Sequence, residues 1–211
     1  DVSLEEMTAL ALMGGLIGVM PTKAHDSATL QMLIKQKIGQ FGISANVVAG
    51  KDTLTCAPKL VISFACLQEM TDEAVDLVLE MLKDTIYEDK KLLKDQLQQT
   101  AMGAQMSVSS AGHRYAITRI NAFNTAEGRA QDALRGLTMV NRMKELAQAE
   151  DAALDPLMEK MEELHDRLFH ANRMTLSRSQ NVDDATADRI IAALPGGTPA
   201  PETASFLPMG D

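Results

Sequence analysis

The 211-residue chain has no tryptophan, 3% aromatic residues and only two cysteines, Cys56 and Cys66. So few rings leave little for stacking nucleic-acid bases or sugars. The net charge of −9 also repels phosphate backbones and anionic membrane surfaces. Two cysteines without metal-ligand spacing form no disulfide framework, which favours a reducing compartment. The composition thus argues against nucleic-acid and membrane partners.

Long apolar segments are also missing. The longest apolar run, Met7 to Met20, is shorter than the roughly 20 residues that a membrane-spanning helix needs. Glu5 and Glu6 precede it, where a secretory signal carries Lys or Arg. We therefore expect neither a transmembrane helix nor a signal peptide in this run.

Helical periodicity dominates what remains, and it begins with a capping box formed by Ser3 and Glu6. Polar residues at Ser109–Gly112 predict an interruption in a long helix that begins at Asp89. The pattern predicts helices at Leu4–Val19, Asp26–Gly39, Thr71–Ile86, Asp89–Ala122 with that interruption, Thr125–Ala147, Asp155–Phe169 and Asp184–Leu194.

Alternating patterns predict strands in two neighbouring segments. Ile43, Ala45, Val47 and Ala49 are apolar with Ser44 and Asn46 between them, and a strand at Leu60–Leu67 places Leu60, Ile62, Phe64 and Cys66 on one face. The connection between them holds no helix, so the strands are predicted to be antiparallel. A further strand is predicted at Arg173–Ser179.

This order of elements predicts an α+β, helix-rich fold in which helices cover one face of an antiparallel sheet. We expect residues 1–184 to form the domain. Residues 185–211 are expected to form a short helix and a Pro/Gly-rich linker towards a following domain.

The histidines do not predict a metal site. Among the four, only His165 and His170 are close, and on a helix five residues turn the two side chains about 140° apart. His165 falls on the apolar side and His170 on the polar side, so we expect a packed histidine and a solvated one. His25 and His113 have no nearby histidine. No metal ligand is assigned.

Nucleotide-binding and hydrolase signatures are incomplete. The string Ala49–Thr53 contains the Gly50-Lys51 pair of a phosphate-binding loop. Such a loop needs Ser or Thr directly after the lysine, where this chain has Asp52, and a first Gly five residues before Gly50, where it has Ala45. Ser109 and Ser110 lie near His113 without a Gly-x-Ser-x-Gly elbow. Two adjacent carboxylate pairs are expected to be solvated: Glu162 with Glu163, and Asp183 with Asp184. We assign no catalytic or cofactor-binding residue.

Several segments together resemble one protein family. They are Phe41–Ala45, Leu60–Leu67 with the helix Thr71–Leu82, Tyr87–Lys94, Ser109–Ala116 with its Ser-x-x-Gly-His-x-Tyr-Ala pattern, Gly136–Leu137 and Met143–Leu146. In this order they resemble the pitrilysin and insulinase family of zinc metallopeptidases, and within it the presequence-protease branch. The similarity covers roughly residues 1–184.

The resemblance implies a LuxS/inverzincin-like domain that is the non-catalytic third domain of a zinc-dependent oligopeptidase. The family's zinc motif, H-x-x-E-H, lies in its first domain and does not occur here, so the zinc is expected in the parent enzyme and not in this fragment. The implied partners are neighbouring domains of the same polypeptide and a peptide substrate held in a closed chamber.

The resemblance also implies a first strand before the first helix, of which Asp1–Ser3 resembles the end, and thus a truncation there. The Pro-rich tail resembles the connection into the fourth domain. The implied location is the bacterial cytoplasm or an organelle matrix.

Two alternatives remain open. The chain is a stand-alone, helix-rich protein-interaction module, or it is a free-standing hydrolase that uses His113 with a nearby serine.

Overall fold

The computed structural model describes residues 2–179 and 181–196, together with the backbone of residues 204–205. The described elements confirm a helix-rich α+β fold. In chain order they are α1 (Met7–Leu16), α2 (Ser27–Lys37), β1 (Gln40–Ala49), β2 (Thr55–Ala65), α3 (Thr71–Asp84), α4 (Lys90–Asn124), α5 (Ala126–Arg135), α6 (Leu137–Gln148), α7 (Asp155–Leu168), α8 (Asp184–Ala193) and β3 (Ala204–Ser205).

The first two strands form the predicted antiparallel hairpin. Gln40 lies opposite Ala65 at one end, and Ala49 lies opposite Cys56 at the other. The carboxylate of Asp52 closes the connecting loop by accepting hydrogen bonds from the backbone of Leu54 and the Thr55 hydroxyl, each at 2.9 Å. The loop is therefore a self-capped turn.

Helices cover one face of this hairpin, as the alternation predicts. Gly14 of α1 lies so close to the sheet that an added Cβ would be 3.2 Å from both Ile43 and Leu60. The opposite face, which includes Val48 and Val61, is exposed. Ala49 keeps the predicted alternation with Val47 but is exposed, because it lies at the end of β1, beyond the helical cover.

The first helix is shorter than predicted. It ends at Leu16, and Gly18 then adopts φ +84°, a conformation that residues with a Cβ rarely adopt. An added Cβ there would also meet the Phe41 ring at 3.2 Å. The predicted capping box is present, because the Ser3 backbone donates to Glu6 at 2.8 Å and the Glu6 backbone donates to the Ser3 hydroxyl at 3.3 Å.

The single helix predicted at Thr125–Ala147 is wrong, because Gly136 leaves the helical conformation at φ −91° and ψ −161°. The carboxylate of Asp132 accepts from the Leu137 backbone at 3.0 Å and caps the start of α6. An added Cβ on Gly136 would lie 2.2 Å from that carboxylate, so the glycine permits the break.

The strand predicted at Arg173–Ser179 is also wrong. The chain forms a short 3-10 helix at Ala171–Arg173 and continues without regular structure to residue 179. Met174 and Leu176 alternate in sequence but are exposed, since no neighbouring strand pairs with them in the described ranges. Alternation without a partner does not make a strand.

The C-terminal helix is confirmed with nearly the predicted bounds, and the Asp183 carboxylate caps it through the Thr186 backbone at 2.7 Å. Most of the predicted linker lies outside the described residues. Within it, the backbone of Ala204–Ser205 pairs antiparallel with Thr55–Cys56. Across the described part of the chain, no helix combines the length and apolarity that a membrane crossing requires.

Candidate functional site

The long helix α4 is bent where the sequence predicts an interruption. Ala111 has φ −133° and ψ 37°, outside the helical region, so the helix consists of two arms. The hydroxyls of Ser109 and Ser110 donate to carbonyls of their own arm, at Gln105 and Ser107. Such back-bonding competes with the helical ladder and bends helices. The Ser-Ser-Ala-Gly sequence is thus a bend.

A groove of about 620 Å³ lies between this bent helix and α5. Arg114, Tyr115 and Thr118 line it from α4, and Gln131 and Arg135 line it from α5. Its lining offers guanidinium, hydroxyl and amide groups and the carboxylate of Glu127, but no histidine or cysteine. Among these described residues, no hydrogen bond joins the Glu127 carboxylate to a lining hydroxyl, so the groove has the chemistry of a polar binding surface.

Close packing between α4 and α5 forms the floor of the groove. Gly128 lies so near the preceding helix that an added Cβ would be 2.3 Å from the carbonyl oxygen of Asn121. Thr125 turns the chain between the two helices, and its hydroxyl accepts from the Gly128 backbone at 2.9 Å. A glycine at this position is required by the approach of the two backbones.

A buried carboxylate joins α4, α5 and α6. Asp132 is 1% exposed, and it accepts from the Arg119 guanidinium at 2.6 Å and from the Thr138 hydroxyl. Together with the backbone of Leu137, these donors satisfy the buried charge. Neither Arg119 nor Asp132 was singled out from the sequence. The signal in the sequence is an Asp four residues before the helix-breaking Gly136, a spacing at which its carboxylate can cap the next helix.

The histidines do not form one cluster, and His25 and His165 each have a partner of their own. Nδ1 of His25 is 2.8 Å from a Glu80 carboxylate oxygen, and the Thr22 hydroxyl donates to the same oxygen. This cluster links α3 to the segment before α2. It has one histidine and one carboxylate, fewer than the three protein ligands of a catalytic zinc site.

His165 is the packed histidine that the apolar spacing predicts. It is 6% exposed, and its Nδ1 is 3.0 Å from the hydroxyl of Tyr87, which is itself fully buried. Burial lowers the pKa of His165, and burial together with the charge of Glu162 raises the pKa of Tyr87. The ring of Phe169 packs edge-on against the imidazole, 4.6 Å between centroids. Both side chains are therefore neutral near pH 7.

His170 differs from its prediction as a solvated residue of a helix. It follows the end of α7 at Leu168 and is half-buried, with Nδ1 enclosed and without a hydrogen-bond partner. A direction inferred from helical geometry does not apply past the end of the helix.

His113 is exposed beside the bend of α4, and no hydrogen bond joins it to Ser109 or Ser110. Both serine hydroxyls donate to backbone carbonyls instead. The arrangement contains no activated nucleophile, because activation requires a base within hydrogen-bonding distance of the hydroxyl.

The remaining sequence candidates have structural roles. Glu163 pairs with Lys160 and Arg167, and Asp184 pairs with Arg178, all on exposed surfaces. The thiol of Cys56 is buried, and this burial, helped by the charge of Glu127, raises its pKa to about 11. A protonated thiol is neither a nucleophile nor a metal ligand. Cys56 and Cys66 are both free.

Across the residues that the structure describes, no three His, Cys, Asp or Glu side chains lie close enough together to hold a metal ion. The side chains of the described residues therefore do not fit a zinc site.

The first 146 residues match a family model described as peptidase-associated, for peptidase family M16, subfamily C, and the chain belongs to this family. The matched segment runs from α1 through most of α6 and contains the bent helix, the groove and the Asp132 cluster. The resemblance to the presequence-protease branch is confirmed by the curated relatives.

The chain is similar to the mitochondrial presequence protease of Mus musculus, at 24% identity over 145 residues, covering 68% of this chain and 14% of that protein. The mitochondrial presequence protease of Danio rerio is 22% identical over 159 residues, covering 74% of this chain and 15% of the relative. Protein HypA of Clostridium perfringens is 20% identical over 171 residues, covering 81% of this chain and 17% of the relative. The chain thus spans only about a sixth of the relatives' length.

Proposed function

We propose that the chain is a non-catalytic domain of a zinc-dependent oligopeptidase related to presequence protease. It forms part of a closed chamber in which the parent enzyme degrades unfolded peptides. The observation that carries this proposal is the family match across residues 1–146, which joins the chain to relatives named as presequence proteases. The chain's alignment with about a sixth of each relative agrees with a role as one domain among several.

The absence of H-x-x-E-H from the sequence supports the non-catalytic part of this proposal. So does the placement of the histidines, because His25 pairs with Glu80 and His165 with Tyr87. Catalytic zinc polarises a carbonyl and activates water in such peptidases. In the proposed enzyme that chemistry belongs to another domain, and this chain supplies a wall that excludes water and orients peptide.

The proposed partners are the neighbouring domains of the same polypeptide and the peptide substrate. Nucleic acid and membranes are not partners in this proposal, in agreement with the net charge of −9. We place residues 1–184 in the domain and residues 185–211 in the connection to the next one. The proposed location is the bacterial cytoplasm or an organelle matrix.

Zinc content and peptide cleavage test this function directly. The 211-residue chain is purified, its zinc is measured by elemental analysis, and the same sample is assayed with a fluorogenic peptide. We expect no stoichiometric zinc and no turnover. Turnover that a chelator abolishes and zinc restores would refute the proposal. The matched sample is the polypeptide encoded by the whole reading frame, which is expected to bind zinc and cleave the peptide.

A second candidate function is a stand-alone interaction module, which the exposed apolar side chains of α4 favour. The reading frame discriminates between the two. A frame that extends well beyond both ends of this sequence and encodes H-x-x-E-H upstream supports the peptidase. A frame that contains these residues alone supports the module.

The hydrolase hypothesis based on His113 has its own test. A His113→Ala variant of any active preparation should keep its activity, because His113 contacts neither serine. Loss of activity in that variant, with the fold intact, would restore the hypothesis.

A further inference from the structure

The outward side of α4 is apolar and unusually exposed. On the arm before the bend, Met102 and Met106 are 62% and 74% exposed. On the arm after it, Ile117, Ile120 and Phe123 are 57%, 61% and 42% exposed. Residues three or four apart share a side of a helix, so each arm presents its apolar side chains together. We call these five residues the outer side of α4.

Charge is depleted along the same segment. No Asp or Glu occurs between Asp95 and Glu127, although the chain has 29 acidic residues. Exposed helices of acidic proteins ordinarily carry carboxylates on their solvated side. Loss of Asp, Glu and Lys with retention of Met, Arg and aromatic side chains is the composition of a protein–protein interface.

The rest of the helix explains why this side lacks a cover within the described residues. Leu93 and Leu97 are fully buried in the core before the bend, and Ala122 is fully buried after it. Ala104, Val108 and Tyr115 are half-buried on the inward side. The core thus accounts for the inward side of α4 and leaves the outer side without a packing role in this fold.

We propose that the outer side of α4 docks against another domain of the same, longer polypeptide. This assignment rests on the proposed function, and it identifies the surface through which the domain contacts its neighbour. The curated relatives leave more than four-fifths of their length outside the match, since the chain covers 14–17% of them. A domain tethered in the same polypeptide binds at an effective concentration in the millimolar range, so a modest apolar contact suffices.

A second copy of the chain is the less favourable occupant. Two copies bring net charges of −9 together, and their mutual repulsion opposes association. A domain tethered in the same polypeptide associates at a high effective concentration, which offsets such repulsion. Interfaces between domains of one chain bury about 600–1,500 Å², which five large apolar side chains and their neighbours can supply.

Methionine oxidation tests this docking without any substitution. The polypeptide encoded by the whole reading frame is treated with dilute hydrogen peroxide, and the rate at each methionine is followed by peptide mass spectrometry. Met32, 51% exposed on α2, is the reference for an open side chain, and Met13 and Met81, both fully buried, are the references for a closed one.

We expect Met102 and Met106 to oxidise at least about tenfold more slowly than Met32, although both are more exposed than Met32 in this fold. Oxidation of Met102 and Met106 at the rate of Met32 would overturn the proposal. Protection that increases with protein concentration would overturn it as well, since it would assign the surface to a second copy.

A matched pair of variants sharpens the result. In the full-length polypeptide, Met106→Glu places a charge in the contact and should expose Met102 to oxidation at the rate of Met32. Met32→Glu makes the same change at another exposed methionine and should leave Met102 protected. If Met102 stays protected in both variants, the outer side of α4 is not the docking face.

Peptide cleavage measured on the same samples separates this inference from the proposed function. If the full-length polypeptide cleaves peptide in a zinc-dependent way but Met102 and Met106 oxidise at the rate of Met32, the docking face is refuted and the proposed function stands. Protected methionines in a polypeptide that cleaves no peptide support the docking face and refute the proposed function.

Discussion

Helices α1 and α4 both carry many apolar side chains, and neither has a simple apolar side and polar side. In α1, most residues are buried, because the sheet lies against Gly14 and other helices surround the remainder. In α4, only Leu93, Leu97, Ala101 and Ala122 are buried, and large apolar side chains face outward. The apolar side chains of α1 therefore lie inside the fold, whereas many of those of α4 lie on its surface.

This difference shows that apolar content alone does not place a helix in the core. The first helix is apolar because its own fold encloses it. The bent helix is apolar on a side that its own fold leaves open, and the acid-free segment from Gln96 to Ala126 distinguishes it from an ordinary solvated helix.

The largest expected effect comes from removing the same side chain in both helices. Met13→Ala in α1 should lower the free energy of unfolding by about 2–5 kcal/mol, because the side chain is fully buried and leaves a cavity. Met106→Ala in α4 should change it by less than about 0.5 kcal/mol. Urea denaturation of the chain measures both. Equal losses would mean that the outer side of α4 is packed within this domain.

The next largest effect concerns the Asp132 cluster, which holds the second arm of α4 against α5 and α6. Asp132→Ala should cost about 2–4 kcal/mol, because Arg119 and the start of α6 lose a buried acceptor. Arg142→Ala, which breaks an exposed pair with Glu145, is the control and should cost less than about 1 kcal/mol. A cost for Asp132→Ala as small as that of the control would show that the buried cluster does not secure the arm.

The pH dependence of the free energy of unfolding should originate in the buried core, where His165 lies, and not on the outer side of α4. Burial lowers the pKa of His165 below its unfolded value of 6.5, so the unfolded chain binds the proton more readily. Stability is then complete above about pH 6.5 and is lost as the pH falls below it, by at most about 1.4 kcal/mol per pH unit. Burial is the largest influence on this pKa; Asp166, the Leu82 backbone and Asp84 raise it, and the charge of Lys23 lowers it further.

Chemical denaturation of the chain at pH 7 and pH 5.5 measures this loss, and His165→Gln should reduce it while keeping a partner for Tyr87. His113→Gln on the exposed helix should leave the loss unchanged. If the free energy of unfolding falls equally between pH 7 and pH 5.5 in the unchanged chain and in His165→Gln, the pH dependence belongs to another group.

Below pH 4.5, Glu6 adds a further loss of stability. Burial alone would raise the pKa of Glu6, but the Ser3 backbone and Arg167 lower that pKa to about 2.

The smallest expected effect, a gain in stability from replacing an exposed glycine by alanine, should be similar in α1 and α4. Gly15 in α1 and Gly103 in α4 are exposed, and a Cβ added to either meets nothing within 4 Å. Gly→Ala at each position should raise the free energy of unfolding by about 0.5–1 kcal/mol through backbone entropy. Thermal denaturation detects the gain. A loss at Gly103 would indicate that the bent helix needs flexibility there.

Local patterns predicted much of this fold. The hairpin, the amphipathic α3, the capped α8 and the bend at Ala111 follow from periodicity and from residues a few positions apart. Packing of His165 also followed from its place on an apolar stripe. The apparent strand at Arg173–Ser179 failed because a strand needs a partner that its own sequence does not specify.

The sequence by itself determined the helix-rich class, the antiparallel hairpin and the absence of the family's zinc motif, because these depend on neighbouring residues or on composition. Only the tertiary structure decided the rest. It brings Tyr87 to His165 across 78 positions, divides α5 from α6 through the Asp132 carboxylate, and leaves the outer side of α4 uncovered. Those features depend on contacts between distant segments, and burial at such contacts has no signature in any one of them.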